Sequence, residues 1–445
     1  MRGCIRGKPE TFITILTGII LMRIIPRRIE RALLRYPGWK MLYGRRKTGK
    51  TFLVEHFLDY DEFFFVNKDG TVHDRLSNDK MTYQEFMRLF PRLVKGKRRI
   101  VIDEFHRLPE GFLDLLHAYS TEQDSQVILV TSTMWLAQRL LSMRESPLLG
   151  IAFLVKIGLI DEREILVELS KEVKGKELIE ASTYLREPML VPAYKPPLRD
   201  FLTGFFSSSG SFVSELVGET FNEEGHELTR VYLGIMMEVA NGKGTSTELS
   251  SALFSRGLLK KDNPGTLQKY LTILTKMGIL RKFLVQGKRR KKFIYRHASP
   301  LLDLHFYLEA KYAYTELETS VEFIRKAVDY KLPRHVEDFI ADLLAKAYGL
   351  RRVNMELPEL ELDIALQGFN RLELVGEVKW KERVKREEVR KIEEKLSRFD
   401  CRRVLVVPSE DVLEREPERI EVLTPEDLLE IARESLKKTL NMEHL

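Results

Sequence analysis

Residues 39–51 read WKMLYGRRKTGKT, and the fold can be worked out from this stretch. WKMLY has the pattern of a short apolar strand, and the apolar helix start FLVEHFL follows directly. The residues between strand and helix match G-x-x-x-x-G-K-[ST] in the context that this motif requires: Gly44, Arg45, Arg46, Lys47, Thr48, Gly49, Lys50 and Thr51. The glycines let backbone N–H groups and the helix N-terminus face a phosphate. We predict that this loop binds ATP, with Lys50 on the β- and γ-phosphates and the Thr51 hydroxyl on Mg²⁺.

Further apolar runs place this loop in a parallel sheet. FFFV at 63–66, RIVI at 99–102 and VILV at 127–130 are apolar throughout and are separated by helical stretches. The amphipathic segment RRIERALLRY precedes the first strand. The sequence thus predicts an α/β fold, with the parallel sheet of a P-loop NTPase over residues 26–170.

An acidic pair ends the RIVI strand. IVIDEF places Asp103 and Glu104 there, 103 − 50 = 53 residues after the lysine of the phosphate loop. An aspartate in this position holds Mg²⁺ through water. A glutamate beside it can polarise an attacking water as a general base. We predict these two roles for Asp103 and Glu104.

The VILV strand continues into Thr131, Ser132 and Thr133. A polar side chain at this strand end can contact the γ-phosphate and orient the attacking water, and Ser132 or Thr131 fills that place. Serine and threonine are also favoured as caps where a helix begins. The sequence leaves both interpretations of Ser132 open, the catalytic and the capping one.

Three motifs, GRRKTGKT, VIDEF and the SPLLG of residues 146–150, together resemble the archaeal ATPase family. This family is a branch of the AAA+-like P-loop ATPases and is related to the STAND group. The resemblance covers most of the chain from about Ile24 onward. It implies ATP binding and hydrolysis, with the roles given above. It also implies that a winged helix and a C-terminal domain of the restriction-endonuclease type, PD-(D/E)xK, follow the P-loop domain.

The chain departs from the family directly after SPLLG. The family commonly continues this motif with an arginine, whereas Ile151 follows here. An arginine in that place would be a candidate for neutralising charge in the transition state. Arg139 and Arg144 lie nearby, but nothing in the sequence shows that either takes over this role.

Composition, chain breaks and the resemblance divide the chain into six parts. They are an N-terminal apolar extension (1–25), the P-loop ATPase domain (26–170), a helical lid or linker (171–225), a winged helix (226–300), a helical connector (301–330) and a restriction-endonuclease-like domain (331–445). PMLVPAYKPP at 188–197 and GFFSSSGS at 204–211 are predicted to break regular structure. In the last part, strands are predicted near 353–357, 361–366, 371–379 and 403–407.

The winged helix is predicted from three helices and a strand pair. The helices are LTRVYLGIMMEVANG, TSTELSSALF and NPGTLQKYLTILTKMG, and ILRKFLVQGKRRKKFIYR follows as two strands around a turn. Such a module would direct Lys269 and Thr272 of the third helix toward the major groove of DNA and lay its wing along phosphates. The basic residues of this wing are Lys288, Arg289, Arg290, Lys291 and Lys292. A solvated turn, a contact for an acidic partner and a structural lid are the alternatives.

The last part carries an E…D…ExK arrangement. Glu337 lies near the start of the predicted helix HVEDFIADLLAKAYG, Asp363 in one predicted strand, and Glu377 and Lys379 in the next. Asp363 and Glu377 would hold Mg²⁺ against a scissile phosphate, with Glu337 completing the metal shell. Lys379, on the same strand face as Glu377, would steady the attacking hydroxide. The alternative is a retained scaffold that binds DNA or a partner without cutting.

Composition limits the class of protein. The chain has 445 residues, 44% of them hydrophobic, and a formal net charge of +7, as expected of a folded protein with several domains. Its two cysteines, Cys4 and Cys401, lie too far apart for a metal-ligand motif and favour a reducing cytoplasm. The apolar run at 12–25 is shorter than the ~20 residues that span a bilayer, so we expect no stable membrane insertion. A start at Met22 is an alternative to this extension.

Two functions fit these features. In the first, the chain is an Mg²⁺-dependent ATPase whose cycle governs a DNA-directed arm. In the second, it is a nucleotide-gated switch that binds ATP or ADP, turns over very slowly, and binds DNA or a protein partner as its output. Glu104 favours the first and Ile151 favours the second. A small-molecule kinase is a third possibility, which the Asp103–Glu104 pair disfavours because such a glutamate usually serves water. The oligomeric state is left open.

Overall fold

The structure is a computed structural model and describes residues 23–120, 124–134, 151–286, 292–355 and 361–442. Three β-sheets and the helices around them make up this part of the chain. The first sheet has a hydrophobic core on each of its faces. A larger core continues from residues just after this sheet to the last helix and joins the later parts of the chain.

The first sheet carries the phosphate loop. Its strands are β1 (Trp39–Tyr43), β2 (Glu62–Val66), β3 (Val72–Asp74), β4 (Lys80–Met81), β5 (Arg99–Asp103), β6 (Gln126–Thr131) and β7 (Ala152–Lys156). They lie in the order β4-β3-β2-β5-β6-β1-β7, and the five strands from β2 to β7 in this order pair in parallel. The predicted parallel sheet is confirmed, and β3 and β4 add an antiparallel edge to it. Because β6 lies between β1 and β5, the ends of all three strands meet at one edge of the sheet.

Helices cover both faces of this sheet. They are α1 (Arg28–Leu33), α2 (Lys50–Phe57), α3 (Tyr83–Lys95) and α4 (Gly111–Tyr119). On one face Phe64 packs edge-on against Phe86 with ring centres 5.1 Å apart, and Phe90 and Phe112 extend this aromatic cluster. Leu53 of α2 belongs to the core on the other face. Burial on both faces explains why the strands are continuous apolar runs.

Three further helices follow, and we call them the lid helices. They are α5 (Glu162–Leu169), α6 (Gly175–Leu185) and α7 (Leu198–Glu223). The break predicted at 188–197 is present and includes a 3₁₀ turn at Pro188–Ala193. The lid helices share the large core with the later parts of the chain.

The second predicted break, at 204–211, is wrong. These residues lie inside α7, whose only interruption is a kink at Ser209, with φ −136°. The hydroxyls of Ser207 and Ser208 donate to carbonyls four residues earlier, at 2.8 Å each. The serine-rich stretch therefore satisfies its hydroxyls within the helix, which bends instead of ending.

The predicted order of three helices and a strand pair is present in the middle of the chain. The elements are α8 (Arg230–Ala240), α9 (Ser246–Ser255), α10 (Pro264–Lys276), β8 (Leu280–Gln286) and β9 (Lys292–His297). β8 and β9 pair antiparallel, and β11 (Asn354–Met355) adds to β8 in parallel. The strand predicted at 353–357 therefore belongs to this sheet and not to the last one. A strand of two residues has too weak a sequence pattern to predict which strand it pairs with. The edge of the neighbouring β8–β9 hairpin determines the pairing of β11.

The last part contains two helices, a five-stranded sheet and two more helices. The elements are α11 (Pro300–Tyr312), α12 (Val321–Tyr348), β10 (Arg351–Arg352), β12 (Ile364–Gln367), β13 (Leu372–Val378), α13 (Arg386–Ser397), β14 (Arg402–Val406), β15 (Glu421–Leu423) and α14 (Pro425–Met442). The sheet order is β10-β12-β13-β14-β15. β10, β12 and β13 pair antiparallel, whereas β13, β14 and β15 pair in parallel.

Helix α12 begins earlier than the sequence predicts. Glu337 was expected near a helix start, but α12 begins at Val321 and continues through Pro333. A proline inside a helix removes one backbone hydrogen bond and usually ends it. Here residues on both sides of the proline, among them Val328 and Val336, are buried in the large core. Tertiary packing therefore outweighs the local break. Within the described ranges, no helix is long and apolar enough to cross a bilayer.

Candidate nucleotide-binding site

The phosphate loop leaves β1 and turns sharply into α2. A Cβ at Gly44 would lie 2.0 Å from the carbonyl oxygen of Ile157, so only glycine fits against this neighbouring backbone. Gly49 has φ +85°, a left-handed conformation that glycine adopts without strain, and α2 begins at the next residue. The Thr48 hydroxyl donates to the carbonyl of Arg45 at 2.8 Å and closes the loop from inside. The backbone geometry of the loop therefore explains why glycine occupies both of these motif positions.

Lys50 is buried at the centre of this loop, with 6% of its surface exposed. Its ammonium group donates to the carbonyls of Gly44 and Arg45 at 2.9 and 3.0 Å. Burial lowers the pKa of Lys50 to about 8, and the nearby carboxylates of Glu104 and Asp103 oppose this shift. The side chain is therefore a positive charge held at the N-terminus of α2, where an anion is favoured.

Asp103 and Thr51 meet although 52 residues separate them in the chain. The Thr51 hydroxyl donates to Asp103 Oδ2 at 2.7 Å, and the backbone N–H of Glu104 donates to Oδ1 at 2.9 Å. Burial raises the pKa of Asp103 to about 6, a shift that the hydrogen bond from Thr51 opposes. A hydroxyl and a carboxylate side by side are hard oxygen donors of the kind that Mg²⁺ takes beside phosphate oxygens. The two residues fit the predicted metal role.

The shifted pKa of Asp103 gives a testable stability effect. Because its folded pKa is raised to about 6, the stability it contributes is complete below its ordinary value and is lost as the pH rises through about 6. We therefore expect Asp103→Asn to raise the free energy of unfolding by about 1–2 kcal/mol at pH 7.5, allowing for the weaker bond to the Glu104 N–H. Urea unfolding at pH 4 and 7.5 measures this. Asp114→Asn, at an exposed position, is the control. A difference in unfolding free energy between Asp103→Asn and the wild type that does not grow from pH 4 to pH 7.5 would contradict the expectation.

Glu104, His106 and Ser132 form a polar cluster at the neighbouring strand ends. Glu104 has φ +56° and ψ 37°, an uncommon conformation for a non-glycine residue. Its carboxylate lies 2.9 Å from the Ser132 hydroxyl and 3.3 Å from His106 Nδ1. Burial lowers the pKa of His106, which keeps the imidazole neutral at pH 7. Sequence reasoning missed His106, although it lies only three residues after Asp103.

The end of α7 reaches into this site, a contact that the sequence did not predict. Glu223 Oε2 lies 2.8 Å from the Ser132 hydroxyl, whose single hydrogen serves Glu223 or Glu104 in turn. Glu223 also pairs with Arg46 of the phosphate loop, and Arg107 Nη2 lies 3.6 Å from it. The structure therefore places Ser132 between two carboxylates, and its contact with a γ-phosphate stays a prediction.

Arg27 and Arg45 brace the loop from behind. Arg27 donates to the carbonyls of Thr48 and Gly158 at 2.7 and 3.0 Å, and Arg45 pairs with the buried Glu187. Lys47 is exposed, in a left-handed conformation with φ +63°. Of the four motif positions between the two glycines, the side chains of Arg45 and Thr48 thus support the loop, that of Arg46 pairs with the lid, and that of Lys47 faces solvent.

The candidate arginines Arg139 and Arg144, and the SPLLG motif, lie outside the described residues. So do Lys288, Arg289, Arg290 and Lys291 of the basic wing, whereas Lys292 begins β9. On α10, Lys269 and Thr272 are exposed, and Leu267, Leu271 and Leu274 are buried. Tyr270 is partly buried and stacks edge-on against Tyr232 with ring centres 4.9 Å apart.

The E…D…ExK residues meet at one end of the last sheet. Lys379 Nζ donates to Glu377 Oε2 at 2.9 Å and lies 3.7 Å from Asp363 Oδ2. Burial lowers the pKa of Lys379, but the carboxylates of Glu377 and Asp363 raise it by more. The pKa of Lys379 therefore lies above its ordinary value. Burial and the field of Asp363 raise the pKa of Glu337 to about 7. Sequence reasoning missed Lys395, which also pairs with Glu377.

These carboxylates do not form a metal site of the usual kind in the part of the chain that the structure describes. Among those residues, no group of three or more His, Cys, Asp or Glu side chains is arranged to hold a metal ion. The metal roles of Glu337, Asp363 and Glu377 therefore stay predictions. What the structure does show is a lysine and two carboxylates in one ion-paired cluster.

The sheet, the glycine-rich loop, the buried lysine and the Thr51–Asp103 pair are the features of a P-loop NTPase fold. Residues 37–150 match the family model described as an AAA domain. The predicted resemblance to AAA+-like P-loop ATPases is confirmed for this domain. No curated protein matches the chain.

Several solved structures are similar over larger parts of the chain. A Walker-type ATPase of Pyrococcus abyssi aligns over 63% of this chain and 94% of its own, with 17% identity and a TM-score of 0.42. The ORC2 protein of Aeropyrum pernix, in ADPNP-ADP complexes, aligns over 68% and 91%, with 14% identity and a TM-score of 0.36. A STAND protein with a tetratricopeptide repeat sensor from Pyrococcus horikoshii aligns over 78% and 56%, with 15% identity and a TM-score of 0.27. Similarity at this level leaves the roles of individual residues to the geometry of the site itself.

Proposed function

We propose that the chain is an Mg²⁺-dependent ATP-binding protein and ATPase whose nucleotide state controls a DNA-directed arm. The observation that carries the proposal is the buried Lys50 at the start of α2 beside the 2.7 Å bond between Thr51 and Asp103. In this assignment Lys50 and the loop N–H groups hold the phosphates of ATP or ADP. Thr51 and Asp103 would hold Mg²⁺, which would neutralise phosphate charge.

Water activation falls to the cluster at the neighbouring strand ends. Glu104 is the general base, and the Ser132 hydroxyl, 2.9 Å away, orients it or the attacking water. The neutral His106 supports the Glu104 carboxylate from the other side, with Nδ1 at 3.3 Å. The second candidate function is a nucleotide-gated switch with very slow turnover. The observation that favours it is Ile151, where the family that the sequence resembles carries an arginine.

The DNA-directed arm is assigned to the three helices and hairpin of residues 226–300, as a winged helix. Its support is the exposure of Lys269 and Thr272 on α10 and the antiparallel pair β8–β9 that carries the basic wing. The proposal includes a restriction-endonuclease-like domain at 331–445, with Lys379 beside Asp363 and Glu377 as its candidate cutting site. A protein partner that replaces DNA is the alternative output.

Removing the charge of the wing should weaken DNA binding and its salt dependence. We expect replacement of residues 288–292 by glutamine to flatten the slope of log K against log[salt] by up to about 4.5, since each neutralised phosphate contributes about 0.9. The measurement is binding of the full chain to duplex DNA between low and moderate salt. Lys68→Gln with Lys80→Gln is the control, since both lysines are exposed, one between β2 and β3 and the other in the edge strand β4. An unaltered slope would remove the wing from the DNA hypothesis.

ATP turnover by the full chain with Mg²⁺, with and without duplex DNA, tests the proposal as a whole. Turnover that rises with DNA would establish a DNA-coupled ATPase. Tight ATP binding without turnover in either condition would favour the switch. Folded protein that binds no nucleotide would contradict both functions.

A further inference from the structure

The end of the lid helix α7 carries three glutamates in six residues, Glu219, Glu223 and Glu224. Carboxylates are unfavourable at a helix C-terminus, because they add negative charge where the helix dipole is already negative. All three have partners at the nucleotide site. Glu219 lies 2.9 Å from Arg46, and Glu224 accepts the backbone N–H of Met134, two residues after Ser132. These residues therefore serve the contact between the lid and the P-loop domain and not the stability of α7.

Glu223 is the one of the three that reaches the Ser132 hydroxyl. Its side chain is 11% exposed. One carboxylate oxygen faces the guanidinium groups of Arg46 and Arg107, and the other is 2.8 Å from the Ser132 hydroxyl. Its negative charge also acts on Lys50, together with those of Glu104 and Asp103. Glu223 is thus close to a phosphate-loop arginine, a second arginine and the hydroxyl of Ser132, for which the sequence predicts a contact with the γ-phosphate.

These partners are the ones that a phosphate would take. Carboxylate and phosphate oxygens accept the same charge-assisted hydrogen bonds from arginine and hydroxyl donors. Ser132 has one hydrogen and cannot serve Glu223 and a phosphate together. Two anions in this poorly solvated place would also repel each other strongly. A phosphate held by these donors and the Glu223 carboxylate would therefore exclude each other.

We propose that Glu223 is an internal competitor of the terminal phosphate of ATP, so that binding of ATP, but not of ADP, releases the end of α7 from the phosphate loop. The proposal rests on the proposed function, in which this loop binds ATP. On this proposal, ATP binding causes the end of the lid helix α7 to move away from the phosphate loop. Only five residues separate Glu224 from the start of α8 at Arg230. A displacement of the end of α7 would therefore also move the start of the module formed by α8, α9 and α10.

The expected change in nucleotide affinity on removing the Glu223 charge follows from this competition. A ligand that binds only the released state has its affinity reduced by the fraction of molecules in that state. Glu223→Gln removes the negative charge but keeps the shape of the side chain. We expect it to tighten binding of a non-hydrolysable ATP analogue by about 10-fold and of ADP by less than about 3-fold, since only the former carries the terminal phosphate. Glu215→Gln, an exposed glutamate on the same helix, should leave both affinities unchanged.

The experiment is a calorimetric titration of the full-length wild type, Glu223→Gln and Glu215→Gln with Mg²⁺ and each nucleotide. Hydrogen exchange of residues 210–223 is measured beside it. Exchange should rise with the ATP analogue in the wild type and should already be high in Glu223→Gln without nucleotide. Thermal unfolding identifies any variant that does not fold, in which case Glu223→Asp, which shortens the reach of the carboxylate, replaces it.

Two results would overturn the proposal, and they differ from failure of the proposed function. ATP-analogue binding that Glu223→Gln leaves unchanged or weakens would remove Glu223 as a competitor. Equal tightening for ATP analogue and ADP would remove its connection with the terminal phosphate. In both cases the wild type still binds ATP. If folded wild type and folded variants all fail to bind any nucleotide, the proposed function itself fails, and the proposal about Glu223 with it.

Discussion

Lys50→Ala should weaken ATP binding by roughly 100-fold or more, because charge-assisted hydrogen bonds to phosphate oxygens are worth about 1.5–3 kcal/mol each. Lys50 is buried at the start of α2, and no other lysine of the phosphate loop points inward. Alanine removes this buried positive charge altogether, and the backbone N–H groups of the loop that remain beside it are uncharged donors. A titration of the full chain with ATP and Mg²⁺ measures the change.

Lys47→Ala is the matched control for this substitution. It removes a lysine from the same loop, but its side chain is exposed and its backbone conformation, φ +63°, is equally open to alanine. We expect ATP affinity within about 3-fold of the wild type for Lys47→Ala, as is usual for exposed positions. Lys50→Ala also frees the carbonyls of Gly44 and Arg45, so thermal unfolding should accompany the titration. Unchanged nucleotide affinity in folded Lys50→Ala would contradict the assignment of the loop.

The core of the site could be predicted from the sequence because its parts are local. A strand, a tight turn and a helix start are written consecutively in residues 39–58, and their chemistry needs no distant partner. β1 leads into the phosphate loop and β5 ends at Asp103. The contact between Thr51 and Asp103 follows once β1 and β5 belong to one parallel sheet, since their ends then meet at the same edge. Apolar runs on both faces are sufficient to predict that sheet.

The lid contact could not be predicted in this way. Glu223 and Ser132 are 91 residues apart, and Glu223 and Arg46 are 177 residues apart. In a chain with 66 acidic residues, no local pattern marks one glutamate as an inward-facing one. The serine-rich stretch at 204–211 before it was expected to break regular structure. Only the packing of α7 in the large core shows that the helix continues as far as the site.

The same reason explains the errors in the last part of the chain. Pro333 is a local signal for a helix end, but burial on both sides of it keeps α12 continuous. β11 has only two residues, and its pairing with β8 depends on the hairpin beside it. At Pro333 a local cost of about 3 kcal/mol competes with burial of several side chains, each worth about 1.5–3 kcal/mol. Patterns along the chain predict elements well only where such competition is absent.

Glu104→Gln should separate ATP binding from ATP turnover. We expect kcat to fall by about 10²–10⁴-fold, the usual contribution of a general base, with ATP affinity within about 3-fold of the wild type. Glutamine keeps the size of the side chain and can still accept the hydrogen bond from Ser132 through its amide oxygen. What it lacks is a basic carboxylate beside the attacking water. Steady-state phosphate release, with and without duplex DNA, measures kcat, and the titration described for Lys50 measures affinity.

The exposed Glu110→Gln, six residues further along the chain, carries the same change of charge away from the site and should leave kcat unaltered. A wild-type chain that hydrolyses ATP at a rate that Glu104→Gln does not lower would contradict the role of Glu104 as the base. His106, whose Nδ1 lies 3.3 Å from the same carboxylate, would then be the next group to replace. Its neutral imidazole at pH 7 can accept a proton, whereas Asp103 is committed to Thr51 and the backbone N–H of Glu104. The two outcomes thus choose between the bases that this geometry offers.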